Sequence, residues 1–152
     1  MGTSDRPPAA SPGDPVRVCF VCLGNICRSP TAEGIFRHLV TERGLDDHVE
    51  VDSAGTGGWH AGQPPDERAR QEAAQRGIDL SGLRARQVNA GDVAWFDLLV
   101  GMDRQNMVDL ADLAPDPAAR ERMVMLGEFH PEAGAIPPEV GDPYYGGDDG
   151  FA

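Results

Sequence analysis

A β-type run that ends directly in a tight loop and a helix start is the feature that most restricts the fold of this sequence. Residues 16–21 are mostly apolar, as expected for a buried strand. The loop 22–28 follows, and Ser29-Pro30 is typical of a helix start, with serine as the cap and proline in the first helical position. The sequence therefore predicts a strand, a loop and a helix in succession, with Cys22 where the strand ends.

The loop has the residue types that a phosphate-binding cradle needs. Gly24 and Asn25 tolerate positive φ, so the chain can curl and direct successive N–H groups inward beside a helix N-terminus. Arg28 supplies a planar fork that can hold two phosphate oxygens at once. The helix N-terminus and this arginine favour the thiolate form of Cys22, and Ser29 is placed to donate a hydrogen bond to that thiolate. We expect the loop to hold a tetrahedral oxyanion above a nucleophilic cysteine.

A less specific explanation of this spacing has to be weighed. A cysteine and an arginine separated by five residues also occur by chance, and buried strand cysteines are usually packing residues. Here the apolar strand, the Gly-Asn pair inside the loop and the Ser-Pro pair after the arginine agree with one another. We therefore interpret Cys22 as a functional residue.

Several further motifs connect the chain to a known family. The sequence resembles the low-molecular-weight protein tyrosine phosphatases, whose signature loop is matched from Val21 through Pro30. The resemblance covers about residues 16–151. The other matching motifs, in the family's order and approximate spacing, are Asp52-Ser53-Ala54-Gly55-Thr56, Pro64-Pro65-Asp66, Arg84-Ala85-Arg86-Gln87, Phe96-Asp97, Met102-Asp103, Leu126-Gly127 and Asp142-Pro143-Tyr144-Tyr145.

The resemblance implies a two-step phosphatase mechanism. Cys22 would attack phosphorus and become a phosphocysteine while Asp142 protonates the leaving phenol oxygen, and Asp142 would then serve as the base for an attacking water. Arg28 and the loop amides would stabilise the charge on the equatorial oxygens. No metal or other cofactor is implied. The phosphate-binding loop would comprise Leu23, Gly24, Asn25, Ile26, Cys27 and Ser29.

Three aromatic residues predict the shape of the substrate. The resemblance implies that Trp59, on a Gly-rich loop, and the pair Tyr144-Tyr145 wall a slot for a phenyl ring. Phosphotyrosine proteins and small aryl phosphates would fit such a slot, whereas phosphoserine would be too short. Inorganic phosphate would be the product and a competitive ligand. Asp142 has a structural alternative, because Asp-Pro commonly opens a turn, but the neighbouring tyrosines favour function.

Other residues are implied to support the loop or protect it. Ser53 matches a serine that supports the loop asparagine, although an ordinary loop hydroxyl is an equal explanation. Asp103 matches an aspartate that braces the loop, but helix N-capping alone would explain it. In the family the cysteine equivalent to Cys27 forms a reversible disulfide with the nucleophile, and we carry this redox protection to Cys27. Cys19 is most simply a small core residue.

Composition excludes several classes of protein. Three cysteines and four scattered histidines give neither a disulfide framework nor a metal site. The absence of a signal peptide and of a long apolar run indicates a cytoplasmic protein without membrane contact, although unconventional secretion stays open. The net charge of −12 argues against nucleic acid. All thirteen basic residues are arginine, which indicates a GC-rich, bacterial source.

The order of the predicted elements indicates an α/β fold. Residues 1–15 are expected to be a disordered N-terminal extension, and residues 16–152 one phosphatase domain that lacks the family's C-terminal helix. Strands that alternate with helices predict a four-stranded parallel sheet with helices on both faces and the phosphate loop between the first strand and the first helix. The strands are predicted at 16–21, 49–53, 98–100 and 124–126, and the helices at 30–43, 66–76, 92–95, 103–113 and 117–122. In the first helix, Ile35, Phe36, Leu39 and Val40 are expected to share one face.

Three other functions remain open for a loop of this kind. Thioredoxin-coupled arsenate reductases share it but pass a disulfide along later cysteines, and this chain has none after Cys27. Protein-arginine phosphatases carry threonine at the position of Ile26 and lack the tyrosine pair. A non-hydrolytic phosphocarrier domain would accept phosphate on a similar cysteine, but it needs neither an arginine in the loop nor a distant acid.

Overall fold

A four-stranded sheet forms the centre of the molecule, in a computed structural model that describes residues 15–114 and 116–129. The strands lie in the spatial order β2-β1-β3-β4, and all three pairings are parallel. The predicted α/β fold with one parallel sheet is therefore confirmed. In chain order the strands are β1 (Val16–Cys22), β2 (Val49–Gly55), β3 (Leu98–Gly101) and β4 (Met123–Met125).

Four of the α-helices in the described part of the chain begin where a short polar side chain caps them. Asp66, Asn89, Asp103 and Asp116 each accept a hydrogen bond from a backbone N–H in the following turn. The predicted element ends differ from the observed ones by at most two residues, and the last predicted helix stops at Arg120. The helices are α1 (Arg28–Glu42), α2 (Glu67–Gln75), α3 (Ala90–Trp95), α4 (Arg104–Asp112) and α5 (Pro117–Arg120), followed by a short 3₁₀ helix (Leu126–Phe129).

Side chains of the central strand β1 lie in two hydrophobic cores, one on each face of the sheet. Cys19 and Val21 point into one core, which α3, α4 and α5 cover. Val18 and Phe20 point into the other, where Phe36 of α1 packs edge-on against Phe20 with ring centroids 5.6 Å apart. This alternation along one strand explains why helices lie on both faces of the sheet.

The order in which strands are added to the sheet reverses at β1, and this reversal indicates where a ligand-binding site lies. The chain runs from β1 to β2 on one side and then returns to place β3 on the other side of β1. The loops that follow β1 and β3 therefore diverge at the carboxyl edge and leave a crevice between them, which is where parallel sheets of this kind bind ligands.

Helix α1 departs from the predicted helix in two ways. It begins at Arg28, not at Pro30, and its N-cap residue Cys27 makes no capping hydrogen bond through its side chain. Ser29 lies inside the first turn instead of capping it, because the loop already ends in helical geometry at Arg28. Ile35 and Leu39 are each 41% exposed, so the buried face of α1 is narrower than the predicted one.

Several predictions concern residues outside the described part of the chain. They are the N-terminal extension up to residue 14, the acid Asp142 and the aromatic pair Tyr144 and Tyr145. Among residues 15–114 and 116–129, no helix combines the length and the apolar composition that crossing a bilayer requires.

Candidate active site

The thiol of Cys22 lies at the carboxyl end of β1, beneath the loop that leads into α1. The backbone N–H of Asn25 donates to its Sγ atom at 3.2 Å. The Oγ atom of Ser29 lies 3.0 Å from the same sulfur. Cys22 is only 2% exposed, so its sulfur meets polar groups of the loop and of the first turn of α1 while it stays largely shielded from water. A negative charge on this sulfur would be stabilised by these donors and by the helix N-terminus.

Asn25 organises the loop through both its backbone and its side chain. Its φ of 59° is the one positive value at a non-glycine residue among the described residues, and asparagine tolerates this conformation better than most residues. Its Nδ2 atom donates to Ser29 Oγ at 2.8 Å and to Ser53 Oγ at 3.0 Å, and its Oδ1 atom accepts from the backbone N–H of Arg86 at 3.0 Å. Since Asn25 already donates to Ser29, the hydroxyl hydrogen of Ser29 can point toward Cys22.

A buried carboxylate continues this network beneath the loop. The hydroxyl of Ser53 donates to Glu33 Oε1 at 2.6 Å, and Glu33 is 3% exposed. Arg37, one turn further along α1, donates to the other oxygen of Glu33 and to the carbonyl oxygen of Val51 at 2.7 Å. The buried side chains of Asn25, Ser53 and Glu33 thus have partners, which a low-dielectric site requires if the network is to be rigid. The sequence analysis missed Glu33 and Arg37, because a glutamate four residues before an arginine is an ordinary surface pair on a helix.

Arg28 is held by the loop that follows β3. Its Nη1 atom lies 2.7 Å from Asp103 Oδ2, and the Arg28 side chain is 4% exposed. The other oxygen of Asp103 accepts from the backbone N–H of Asn106 at 2.8 Å and so caps α4. The Oδ1 atom of Asn106 accepts hydrogen bonds from the backbone N–H groups of Met102 and Asp103. Asp103 therefore caps α4 and pairs with the guanidinium of Arg28 at the same time.

The end of β2 and the segment beyond it hold the loop from the other side. The N–H of Thr56 donates to the carbonyl of Cys22 and the N–H of Gly57 donates to that of Leu23, both at 2.9 Å. Gly55 comes so close that a Cβ atom there would lie 2.8 Å from the carbonyl oxygen of Leu23 and 3.1 Å from the nitrogen of Asn25. The absence of a side chain at position 55 is therefore a condition for the loop's shape.

The chain is similar to proteins of a known family. Residues 17–152 match the family model described as low molecular weight phosphotyrosine protein phosphatase. The chain belongs to this family. The human low molecular weight phosphotyrosine protein phosphatase is 42% identical over 88% of this chain and 83% of its own length.

Two bacterial relatives of this phosphatase family extend the comparison. A low molecular weight protein-tyrosine-phosphatase of Streptomyces coelicolor is 44% identical over 89% of this chain and 82% of its own length. The crystal structure of YfkJ from Bacillus subtilis superimposes with a TM-score of 0.84 at 39% identity, covering 93% of this chain and 87% of that structure. The likeness therefore extends over nearly the whole domain and is far wider than the signature loop.

Trp59 lies beside the loop of this family member, with its indole across the backbone of Gly57. A Cβ atom at Gly57 would come within 1.8 Å of the indole ring, so the ring in this position lies directly against the glycine. Trp59 is 72% exposed, which leaves most of the ring open to a ligand. The other predicted slot residues, Tyr144 and Tyr145, and the predicted acid Asp142 lie outside the described residues.

The three cysteines of this phosphatase are buried thiols in different surroundings. Cys27 packs with Ile26 and Ala85 in a small apolar cluster next to the loop. Cys19 is in the main core, where burial raises the pKa of its thiol well above the usual range, against the opposing charge of Arg86 nearby. Among the described residues, no group of His, Cys, Asp and Glu side chains is arranged to hold a metal ion.

Arg86 is a further residue that the sequence analysis did not assign to the site. Its backbone N–H holds Asn25, while its guanidinium lies 3.0 Å from both Asp52 and Asp92. Burial lowers the pKa of Arg86, but the hydrogen bond to Asp92 and the charge of Asp52 outweigh it, so the net pKa shift is upward. The only sequence signal was its position in the motif 84–87, which gave no hint of a contact with the loop.

Proposed function

We propose that this protein hydrolyses phosphotyrosine in proteins, and small aryl phosphates, with Cys22 as the nucleophile. The observation that carries the proposal is the position of the Cys22 sulfur, between the N–H of Asn25 and the hydroxyl of Ser29 at the base of an anion-binding loop. Family membership supports it, since the relatives are named phosphotyrosine phosphatases. Arg28, fixed by Asp103, would hold the phosphoryl group above the thiolate.

In the first step the Cys22 thiolate attacks phosphorus in line with the leaving oxygen. The S–P bond forms as the P–O bond to the tyrosine breaks, and Asp142 gives its proton to the departing phenolate. Arg28 and the N–H groups of loop residues 23–29 would stabilise the negative charge on the equatorial oxygens. The products of this step are the dephosphorylated tyrosine and a phosphocysteine.

In the second step water attacks phosphorus of the phosphocysteine. Asp142, now a carboxylate, takes a proton from that water as the new P–O bond forms and the S–P bond breaks. Inorganic phosphate leaves and the Cys22 thiolate is restored, so the cycle consumes only water and phosphoester. Ser29 would stabilise the thiolate as a leaving group through the 3.0 Å contact described above.

The proposed substrate class follows from the exposed indole of Trp59. A phenyl ring that lies against this indole, with Tyr144 and Tyr145 completing the slot, can carry its phosphate down to the sulfur. A phosphoserine side chain is too short to bring phosphorus to Cys22 and to fill the slot as well. We further place the activity in the bacterial cytoplasm on the basis of composition, with phosphotyrosine proteins and no nucleic acid as partners.

A substrate panel tests the proposed function. We expect kcat/KM to be highest for phosphotyrosine peptides, far lower for the matched phosphoserine and phosphoarginine peptides, and no reduction of arsenate. Inorganic phosphate should inhibit competitively. A preference for phosphoarginine, turnover of arsenate, or a protein that accepts one phosphate per Cys22 without releasing it would replace our proposal with one of the three alternatives.

The role of Asp142 is tested separately on the same peptides. Asp142→Ala should lower kcat on phosphotyrosine by about 100-fold or more, since the phenolate would leave without a proton. The loss should be smaller for an aryl phosphate whose phenol is a strong acid, because such a phenolate needs little protonation. Equal losses on both substrates would contradict the assignment of Asp142 as the general acid.

A further inference from the structure

A second cavity opens beside the phosphate loop and shares one residue with it. The cavity has a volume of about 330 Å³ and lies between the loop, the segment after β2 and helix α4. Leu23, which directly follows Cys22, lines it, so its edge is one residue from the nucleophile. The remaining lining residues are Thr56, Gly57, Trp59, Gln87, Val88, Asp109, Asp112 and Leu113.

One wall of this flanking cavity is the indole of Trp59. The ring lies across Gly57, and the N–H of Gly57 donates a hydrogen bond to the carbonyl of Leu23. Gln87 donates to the carbonyl of Thr56 at 3.2 Å and so fastens the same segment from the other end. The backbone next to the indole is therefore fixed to the loop, while 72% of the tryptophan stays exposed.

The opposite wall carries two carboxylates from α4. Asp109 is partly buried and accepts one hydrogen bond, from Gln105 at 3.0 Å, while Asp112 is exposed. A carboxylate has more acceptor positions than this one bond uses. The hydroxyl oxygen of Thr56, which belongs to another lining residue, is buried and has no hydrogen-bond partner among the described residues. The two carboxylates thus present acceptors to a ligand in the cavity.

An aromatic face opposite carboxylates is the combination that binds an ammonium or guanidinium group. The face of tryptophan attracts a cation through its quadrupole, and the carboxylates attract it by charge and hydrogen bonds. Arginine suits such a site best, because its planar group can stack on the indole and donate in its plane at the same time. An acidic side chain would be repelled here, on a protein whose net charge is already −12.

We propose that the flanking cavity binds an arginine or lysine side chain of the substrate that is close in sequence to the phosphotyrosine. This inference rests on the proposed function and adds a preference for phosphoproteins with a basic residue near the modified tyrosine. An extended peptide advances about 3.3 Å per residue. Since the cavity begins at Leu23, the basic residue lies within about three positions of the phosphotyrosine.

Paired peptides that differ by one charge test this proposal. Each pair carries arginine or the neutral isostere citrulline at one of the three positions before or after phosphotyrosine. At one or two positions we expect kcat/KM to be roughly tenfold higher for arginine, mainly through KM, and the ratio to shrink as salt is added. The double variant Asp109→Asn/Asp112→Asn should bring that ratio close to one.

A control variant that removes two charges elsewhere separates a local cavity from the general field of the protein. Asp47→Asn/Glu50→Gln changes two exposed acids that do not line the cavity and should keep the arginine preference. The proposal is overturned if the wild-type protein shows no preference at any position, or if the control loses it as fully as the cavity variant. If no phosphotyrosine peptide is hydrolysed at all, the proposed function itself fails, and this inference fails with it.

Discussion

Cys19 and Cys22 lie on the same strand, but their thiols have very different surroundings. Cys19 and Cys22 are three residues apart on β1 and therefore point to opposite faces of the sheet. Both are almost fully buried, at 0% and 2% exposure. Burial alone therefore does not decide which thiol can react.

The difference lies in the polar groups that surround each sulfur. The nearest acceptor for the Cys19 thiol is the carbonyl of Phe20 at 3.9 Å, and Arg86 approaches it only to 4.0 Å. Cys22 instead has the N–H of Asn25 and the hydroxyl of Ser29 within 3.2 Å, together with the start of α1. A strand end that leads into the loop offers polar partners to a sulfur, whereas a strand centre packed by apolar side chains favours a neutral thiol.

The largest expected contrast is in catalysis. Cys22→Ser should lower kcat on an aryl phosphate by more than about 1,000-fold, since a serine hydroxyl is not ionised in the same surroundings. Cys19→Ala, made as the matched control, should keep the wild-type kcat, although it loses some stability from the small void. Comparable values of kcat for the two variants would show that Cys22 is not the nucleophile.

A smaller effect should distinguish the backbone of Asn25 from its side chain. Asn25→Gly keeps a residue that accepts a φ of 59° but loses three hydrogen bonds, so kcat/KM should fall by roughly 100-fold. Asn25→Ala loses the same bonds and adds backbone strain of about 1–2 kcal/mol, so the fall should be about tenfold larger. The two variants would have equal activity if the left-handed conformation were unimportant for the loop.

The smallest effect concerns the stability of the core around Cys19 in alkaline solution. Burial raises the pKa of this thiol above its ordinary value of 9.0, so below pH 9 it is neutral in both the folded and the unfolded chain. Above pH 9 only the unfolded chain loses the proton, and the free energy of unfolding should fall by up to about 1.4 kcal/mol per pH unit.

Urea unfolding of the wild-type protein and of Cys19→Ala, measured between pH 7 and pH 11, isolates this contribution. The difference between the two free energies should be constant up to about pH 9 and should then change in favour of the variant. Curves that stay parallel through pH 11 would mean that the Cys19 thiol ionises in the folded protein as easily as in the unfolded chain.

The sequence predicted the architecture well because the relevant signals are local. Apolar strands, capping aspartates and the glycines after α1 and α2 are each visible in a few neighbouring residues. The start of α1 was predicted two residues late, because Ser29-Pro30 has the composition of a helix start while the loop geometry moves the start to Arg28. The exposed positions of Ile35 and Leu39 could not be predicted either, since periodicity shows which residues share a face but not what covers it.

The site was less predictable where it depends on residues that are distant in sequence. The loop residues 22–29 could be chosen from their own spacing, but Glu33 and Arg86 could not. Glu33 becomes a buried support only because Ser53 of β2 is brought next to it, and Arg86 acts on Asn25 through a backbone N–H that any residue type would carry. Such contacts depend on the fold, and the residue types at these positions do not indicate them.

The close approach of Gly55 to the loop has a consequence for protein engineering. The curvature of residues 23–25 is shaped by a position thirty residues further along the chain, where even one methyl group would collide with the backbone. A grafted loop would therefore keep its geometry only if the host scaffold also offered a bare strand end at the same distance. A graft should therefore transfer the end of β2 at Gly55 together with the end of β1 and its loop.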